Sequence, residues 1–493
     1  MKHLKLFSKV LLAGLFLLIV WRFVAFAFHV GNNGLQMDFS GLYHAGRSVN
    51  KGYSPYVNNI HANPVIWDGI AYYKHSRFLY PPLAANFFQI YAIFPYSFAK
   101  FLWILTNLSG IFLSLYLTLK MLKIKPSLQI WLFLGIITLA YHPLFVLLER
   151  GQVDGLIIMF LVSGIYFLVM KPDKQGWIGG VFLVFAALFK LYLGFLFIFL
   201  LLRKKWTAAI GYLGGGILIL LLTTLLNGKD SIPEYLGDHL PRISEYGEKG
   251  PDEARLSQEE YRKLFQGVQE RGTTKVQRKT YTQGLFAFTS VASGFTVTAR
   301  LLRGLGIQFD SNIAVSLVTY LLLLGIVYMI QRKLGRINGT ADMVYWLIAI
   351  LIVLFGSPLA WAMSMVWLLP IIVIPIYYMD KLYSKQLAVS VGLILIAFFL
   401  ILIPDKGSFS LAYTDNFKPL INKYILAEIL LLVSLLMILA NSQKIEKLIP
   451  VTSATDEESA DDKGFPAKTT GGKQKQQARQ QKQMHYSKKK GRR

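Results

Sequence analysis

The sequence predicts an all-α polytopic membrane protein with about 10–12 membrane helices and two long outward loops. Of the 493 residues, 54% are hydrophobic and only 16% are charged, which is well below the quarter that is typical of soluble domains. Apolar runs of about 18–22 residues recur, and each is long enough to cross a ~30 Å hydrocarbon core as a helix. The alternating segments of ~10 residues from which a transmembrane barrel is built are absent from the sequence.

The apolar runs predict twelve segments that span or enter the membrane. They lie near residues 6–28, 98–119, 129–147, 154–171, 177–189, 191–202, 206–226, 311–331, 342–356, 362–379, 386–403 and 423–440. Lysine and arginine cluster in every second connection, beginning before the first span, and this asymmetry marks the cytoplasmic side. We therefore expect a multi-pass protein of the cell (cytoplasmic) membrane with both termini in the cytoplasm, and with the long loops 29–97 and 227–310 outside.

The net charge of +25 comes partly from the last part of the chain. Residues 467–493 contain ten lysines and arginines and no acid, a composition typical of disorder. We predict a membrane domain over residues 1–448 and a disordered cytoplasmic tail over 449–493, basic from residue 467. The lipid bilayer is its expected partner and nucleic acid is not. The chain has no cysteine, which excludes disulfides and thiolate chemistry.

Asp38 lies about ten residues beyond the first predicted span, at the start of the first outward loop. An acceptor hydroxyl needs a base as it attacks, and a carboxylate beside a membrane cavity can serve. The alternative is that Asp38 caps a helix that starts near Phe39. The sequence leaves both roles open.

Lys190 lies at the junction of two short predicted helices, 177–189 and 191–202, each about 20 Å long. A lysine in so apolar a stretch costs several kcal/mol unless it is paired or hydrated. A lipid phosphate is a fitting partner for it, and snorkelling to the outer interface is the alternative.

Three further polar or proline-containing segments border the predicted outer face. Tyr80-Pro81-Pro82 predicts a rigid helix start that positions the preceding loop. The turn Glu149–Asp154 brings Gln152 and Asp154 to the membrane edge, either to bond a sugar or head group or to form a hairpin. Ser357–Trp361 predicts an interfacial aromatic anchor or part of an acceptor site.

No histidine spacing indicates a metal site, and no nucleotide fingerprint is present, so we expect no cofactor.

Taken together, these positions resemble glycosyltransferase family 87, the polyprenol-phosphate-mannose-dependent transferases of the GT-C superfamily. The resemblance covers roughly residues 10–380, and it depends on the order and spacing of short pieces. These pieces are Asp38 with Tyr43-His44-Ala45-Gly46, Gly52-Tyr53-Ser54-Pro55-Tyr56, Phe78-Leu79-Tyr80-Pro81-Pro82, Trp103 with Asn107, Gly151-Gln152, Lys190, and Ser357-Pro358 with Trp361 and Pro370.

The resemblance implies an inverting membrane glycosyltransferase of GT-C type. It would take one sugar, with mannose as the expected one, from a polyprenyl-phosphate donor. It would give this sugar to a glycolipid or glycan hydroxyl on the outer face. Asp38 maps to the family's general base. Lys190, Gln152 and Tyr80 would bind the donor's phosphate and sugar, and the acceptor or supporting positions would be Tyr43, Asp154, Trp361 and Gln283.

Two departures from the family's pattern leave the acceptor open. Ala362-Met363 stand where the family often has histidines, and Tyr281-Thr282-Gln283-Gly284 stand in place of an Asn-Gln-Ser-type stretch. An arabinofuranose donor also suits related enzymes. Three other functions use similar features: a lipid-linked sugar flippase or transporter, a lipid-diphosphate-dependent glycan ligase or polymerase, and a scaffold that acts through its tail.

Overall fold

The computed structural model describes residues 2–32, 37–56, 78–240, 298, 302, 305–307, 312–335, 339–357, 360–379, 384–403 and 423–442. All regular structure in these ranges is helical. The described residues all belong to the compact unit formed by residues 1–444. The predicted tail 449–493, residues 33–36 and 57–77 of the first predicted outward loop, and most of the second predicted outward loop lie outside the described residues.

The helices in chain order confirm the predicted all-α membrane class. They are α1 Lys2–Asn32, α2 Met37–Asn50, α3 Pro82–Ala92, α4 Tyr96–Met121, α5 Leu128–Ala140, α6 His142–Arg150, α7 Asp154–Met170, α8 Pro172–Phe189, the 3₁₀ helix Leu191–Phe195, α9 Leu196–Leu202, α10 Trp206–Asn227, α11 Ser231–Glu234, the π-helical turn Tyr235–His239, α12 Asn312–Leu334, α13 Gly339–Phe355, the 3₁₀ helix Ala362–Ile372, α14 Val373–Tyr378, α15 Lys385–Leu402 and α16 Lys423–Ala440.

Six of these helices are long and apolar enough to cross a membrane, namely α1, α4, α10, α12, α15 and α16. The bent pair of α5 and α6 would make a seventh span. Four shorter apolar segments are α7, Leu191–Leu202, α13 and Ala362–Tyr378. The prediction of 10–12 membrane helices therefore counts segments that are individually shorter than a full crossing.

Helix α13 forms the centre of the bundle. Every residue from Ala341 to Phe355 is buried, as expected for a helix that is apolar on all sides. In contrast, α1 and α10 present exposed large apolar side chains, such as Trp21 and Leu225, and lipid is the environment that suits such a surface. Helix α10 packs closely on α8, where a Cβ at Gly180 would lie 1.9 Å from the carbonyl oxygen of Ala208.

Three predicted segments differ in the structure. The segment 129–147 is not one straight span, because it bends by 58° between α5 and α6, next to Pro143 in the first turn of α6. The helix predicted over 177–189 begins earlier, at Pro172, because proline is favourable at a first helical turn. The segment 362–379 is mainly a 3₁₀ helix, which is unusual at eleven residues.

A buried charge cluster joins α9, α10 and α13 at one end of the bundle. Arg203 and Lys205 donate to the two oxygens of Asp342 at 2.8 and 2.9 Å. Asp342 lies in the first turn of α13, so its charge also suits the helix dipole. Residues 191–202 separate this cluster from Lys190 by about 20 Å of helix. The bundle thus has charged groups at two distinct levels.

Candidate functional site

Helix α2 places Asp38 in its first turn and is fixed by aromatic packing directly behind that residue. The ring of Phe39 stacks on Trp103 of α4 at 5.8 Å and on Tyr96 at 5.9 Å. Phe39 and Trp103 are fully buried, so each contributes about 1.5–3 kcal/mol of apolar burial or more. The backbone that carries Asp38 is therefore held rigidly against α4.

The carboxylate of Asp38 is bound by Arg150, the last residue of α6, and by Gln152 in the turn that follows. Arg150 donates from Nε to Oδ2 at 2.6 Å and from Nη2 to Oδ1 at 3.0 Å. Gln152 donates from Nε2 to Oδ2 at 2.7 Å. The side chain of Asp38 is 5% exposed and that of Arg150 is 28% exposed. Such bidentate, charge-assisted bonds fix both the position and the orientation of a carboxylate.

The segment that supplies Arg150 and Gln152 is itself hydrogen-bonded to α4. Gly151 ends α6 in the left-handed conformation, with φ 72° and ψ 38°, which favours glycine. The indole of Trp103 donates to the carbonyl of Gly151 at 2.9 Å. The N–H of Gly155 donates to Asn107 Oδ1 at 3.0 Å, and a Cβ on Gly155 would lie 2.5 Å from that oxygen. This close approach allows α4 to hold the turn.

Tyr80 continues the network on the other side of Gln152. Its hydroxyl donates to Gln152 Oε1 at 2.9 Å, so Gln152 joins Tyr80 to Asp38. Burial, followed by the negative charges of Asp38 and Asp154, raises the pKa of Tyr80 well above its usual value. The phenol therefore remains a protonated hydrogen-bond donor, and it lies within the electrostatic reach of both carboxylates.

A second ion pair joins α7 to the break after α8. Lys190 donates to Asp154 Oδ1 at 2.6 Å and to the hydroxyl of Ser364 at 2.7 Å. Its ammonium also lies 5.0 Å from the ring centroid of Trp367, within the range of a cation–π contact. Asp154 is fully buried and Lys190 is 11% exposed. As predicted from the sequence, the helix ends at Phe189, and Lys190 at the junction has an extended backbone.

The 3₁₀ helix Ala362–Ile372 and the residue before it contact a cation of each ion pair. In a 3₁₀ helix, residues three apart lie directly above one another. Ser364 and Trp367 both contact Lys190. Trp361, the extended residue that precedes this helix, places its ring 5.4 Å from the guanidinium of Arg150.

The structure brings most of the predicted site residues together. Asp38, Gln152 and Tyr80 form one hydrogen-bonded group, and Lys190 with Asp154 forms the neighbouring pair. Trp361 adjoins the first group through Arg150.

Two other predicted site residues stand apart from this arrangement. The hydroxyl of Tyr43 donates to the carbonyl of Phe94 at 2.9 Å, and its ring packs at 5.1 Å against Tyr96, so its contacts join α2 to α4. Gln283 lies outside the described residues.

Arg150, Ser364 and Trp367 were not among the predicted site residues. Arg150 stands in the predicted turn, but the sequence gives no sign that its partner is an acid 112 residues away. The described residues contain no group of three or more His, Asp or Glu side chains arranged to hold a metal ion.

The comparisons with known proteins give one result. The family model of Glycosyltransferase family 87 matches residues 78–305. This region contains Tyr80, the turn with Arg150 and Gln152, and the Asp154–Lys190 pair, whereas Asp38 and the 3₁₀ helix Ala362–Ile372 lie outside it. No curated protein and no solved structure gives a significant match to the chain.

Proposed function

We propose that the chain is a membrane glycosyltransferase that moves a single mannose from a polyprenyl-phosphate donor to an acceptor hydroxyl, on the outer face of the membrane and with inversion. The match of residues 78–305 to the model of glycosyltransferase family 87 supports the membrane glycosyltransferase class. The observation that carries this proposal is the orientation of Asp38 by Arg150 and Gln152, beside a second, buried cation.

Asp38 is the general base of the proposed reaction. It removes the proton from the acceptor hydroxyl as the acceptor oxygen attacks the anomeric carbon. The bond from that carbon to the phosphate oxygen breaks on the opposite side, and its electron pair leaves with the lipid phosphate. The bidentate contact with Arg150 supports this role, because a base that is held in one orientation does not have to reorganise during the reaction.

Lys190 is the proposed ligand of the donor phosphate. An ammonium group has three N–H donors, and within the described residues Asp154 and Ser364 accept two of them. We assign the third to a phosphate oxygen, where a positive charge stabilises the negative charge that develops on the leaving group. Asp154 partly offsets this charge.

Tyr80, Gln152 and Trp361 support this arrangement in two different ways. Tyr80 and Gln152 act on the reaction through Asp38, since their side chains lie in series with its carboxylate. Trp361 is half-buried beside Arg150 and offers an indole face on which a sugar ring can pack.

Transfer of radiolabelled mannose from polyprenyl-phosphate-mannose in membranes that contain the protein tests the proposal. We expect the wild type to transfer and Asp38→Asn to lose transfer at equal expression. Asp230→Asn is the matched control, because Asp230 is exposed on the same predicted side and forms no cap with its side chain. Equal transfer by wild type and Asp38→Asn would assign the base elsewhere.

A panel of lipid-linked sugar donors separates the alternative functions. A flippase or transporter of lipid-linked sugars would move the donor across the bilayer without consuming it, and it would tolerate Asp38→Asn. A glycan ligase or polymerase would consume a lipid-diphosphate donor instead. A polyprenyl-phosphate-arabinofuranose donor tests the sugar, since its consumption in place of the mannose donor would retain the reaction class and change the substrate.

A further inference from the structure

Four aromatic rings lie at the outer end of the Tyr80 network and have no role in the reaction as described above. We call Tyr56, Phe78, Tyr235 and His239 the outer aromatic cluster. The ring of Tyr56 stacks on His239 at 3.8 Å with the planes 21° apart. It also lies 6.1 Å from Tyr235 and 5.5 Å from Phe78. The cluster therefore joins the first predicted outward loop to the beginning of the second.

Hydrogen bonds on the two ends of Tyr80, its backbone carbonyl and its phenol, connect this cluster to Asp38 through the residue's own covalent frame. The hydroxyl of Tyr56 donates to the carbonyl of Tyr80 at 2.7 Å. The hydroxyl of Tyr80 donates to Gln152 at 2.9 Å, and Gln152 donates to Asp38 at 2.7 Å. Tyr56 is 8% exposed, so its hydroxyl is fixed by this bond and by the stacked rings. Burial also raises the pKa of Tyr56, which keeps the phenol a donor.

The backbone that carries Tyr235 and His239 has an unusual shape. Residues Tyr235–His239 form a π-helical turn at the end of α11, and such turns occur frequently at functional sites. The turn directs both rings onto Tyr56, and Nε2 of His239 lies 3.3 Å from Oε1 of Glu234. The second predicted loop thus begins with a segment that packs on Tyr56.

We propose that Tyr56 is a positioning residue for Asp38, and that packing of Tyr235 and His239 against Tyr56 sets the orientation of the base. The inference rests on the proposed function, because it assigns Asp38 as that base. It adds that the start of the second outward loop controls the rate of the chemical step without contacting the reacting atoms. Tyr56 acts through Tyr80 and Gln152, in that order.

The test compares kcat and KM of the purified full-length protein with Tyr56→Phe, Tyr80→Phe and the double variant, using the lipid-phosphate sugar that the wild type consumes. Tyr56→Phe keeps the ring and removes one hydrogen bond, so kcat should fall roughly threefold to tenfold, with the donor KM changed by less than about twofold. Tyr328→Phe is the matched control, since Tyr328 is 49% exposed on α12.

The double variant distinguishes positioning from ordinary packing. If Tyr56 and Tyr80 act in series, the double variant should lose about as much as the worse single variant, because the first break already releases the base. If the two losses multiply, the residues act independently and the proposal is wrong. It is also wrong if Tyr56→Phe behaves like Tyr328→Phe.

Two variants of His239 test the positioning role if Tyr56→Phe does not fold. His239→Phe preserves a stacked ring and should retain kcat, whereas His239→Ala removes the ring and should lower kcat by a similar threefold to tenfold. Equal rates for these two variants would overturn the proposal.

Asp38→Asn separates failure of the base assignment from failure of the positioning role. If Asp38→Asn transfers like the wild type, the base assignment fails and the inference fails with it. If Asp38→Asn is inactive while Tyr56→Phe is unchanged, only the positioning role of Tyr56 fails. A wild-type protein that consumes no lipid-phosphate sugar would overturn both.

Discussion

Replacing Lys190 with methionine tests whether the buried Lys190–Asp154 pair serves structure, phosphate binding or both. The side chains are 11% and 0% exposed, so the pair is almost entirely removed from water. Deleting the lysine leaves the carboxylate of Asp154 buried with no compensating charge from that partner. Breaking a buried pair in this way costs about 3–5 kcal/mol. Loss of the hydrogen bond that the ammonium donates to Ser364 is part of this cost, since a hydrogen bond to a charged group contributes about 1.5–3 kcal/mol.

The double variant Lys190→Met/Asp154→Leu separates the two contributions. It replaces both charges by apolar groups, so its free energy of unfolding should return to within about 2 kcal/mol of the wild-type value. Transfer should not return. Loss of one charge-assisted contact to the phosphate, about 1.5–3 kcal/mol, corresponds to a loss of roughly tenfold to 150-fold in kcat/KM.

The assay measures denaturation in detergent and sugar transfer on the same preparations. Lys205→Met is the matched control: Lys205 also contacts a buried acid, but Asp342 keeps Arg203 as a partner. Full stability of Lys190→Met would refute the account of the buried pair. If the double variant regained both stability and transfer, Lys190 would be structural only and the phosphate assignment would be wrong.

Three further substitutions test other parts of the site. Arg150→Lys should lower kcat about tenfold or more, because an ammonium cannot form the two parallel bonds to Asp38, and an unchanged kcat would contradict this. Gly155→Ala should destabilise the protein by about 1–3 kcal/mol through overpacking, whereas Gly214→Ala, with open space around it, should not. Glu428→Gln should preserve or raise the denaturation midpoint, because this fully buried carboxyl has no hydrogen-bond partner among the described residues. A clearly lowered midpoint would show that Glu428 is paired.

The sequence predicted the fold class because hydrocarbon length and apolar composition leave few alternatives. The same reasoning located the break at Lys190, since a charge in an apolar run marks irregular backbone, and the start of α3 at Pro82, since proline opens helices. The bend between α5 and α6 was missed although Pro143 signals it, because the apolar run continues through it without interruption.

The partners of the charged residues could not be predicted from the sequence in the same way. Arg150 meets Asp38 only because α4 holds the turn after α6 against α2, a tertiary relation that no local pattern encodes. The common face of Ser364 and Trp367 depends on a 3₁₀ period, whereas the apolar sequence there fits an α-helix equally well. Gln283 and the basic tail remain predictions.

The most direct test of the account is transfer of mannose from polyprenyl-phosphate-mannose by wild type, Asp38→Asn and Asp230→Asn at matched expression. We expect transfer by wild type and Asp230→Asn, and none by Asp38→Asn, because of these two acids Asp38 is the one held by Arg150 and Gln152. Transfer by Asp38→Asn at the wild-type rate would contradict it.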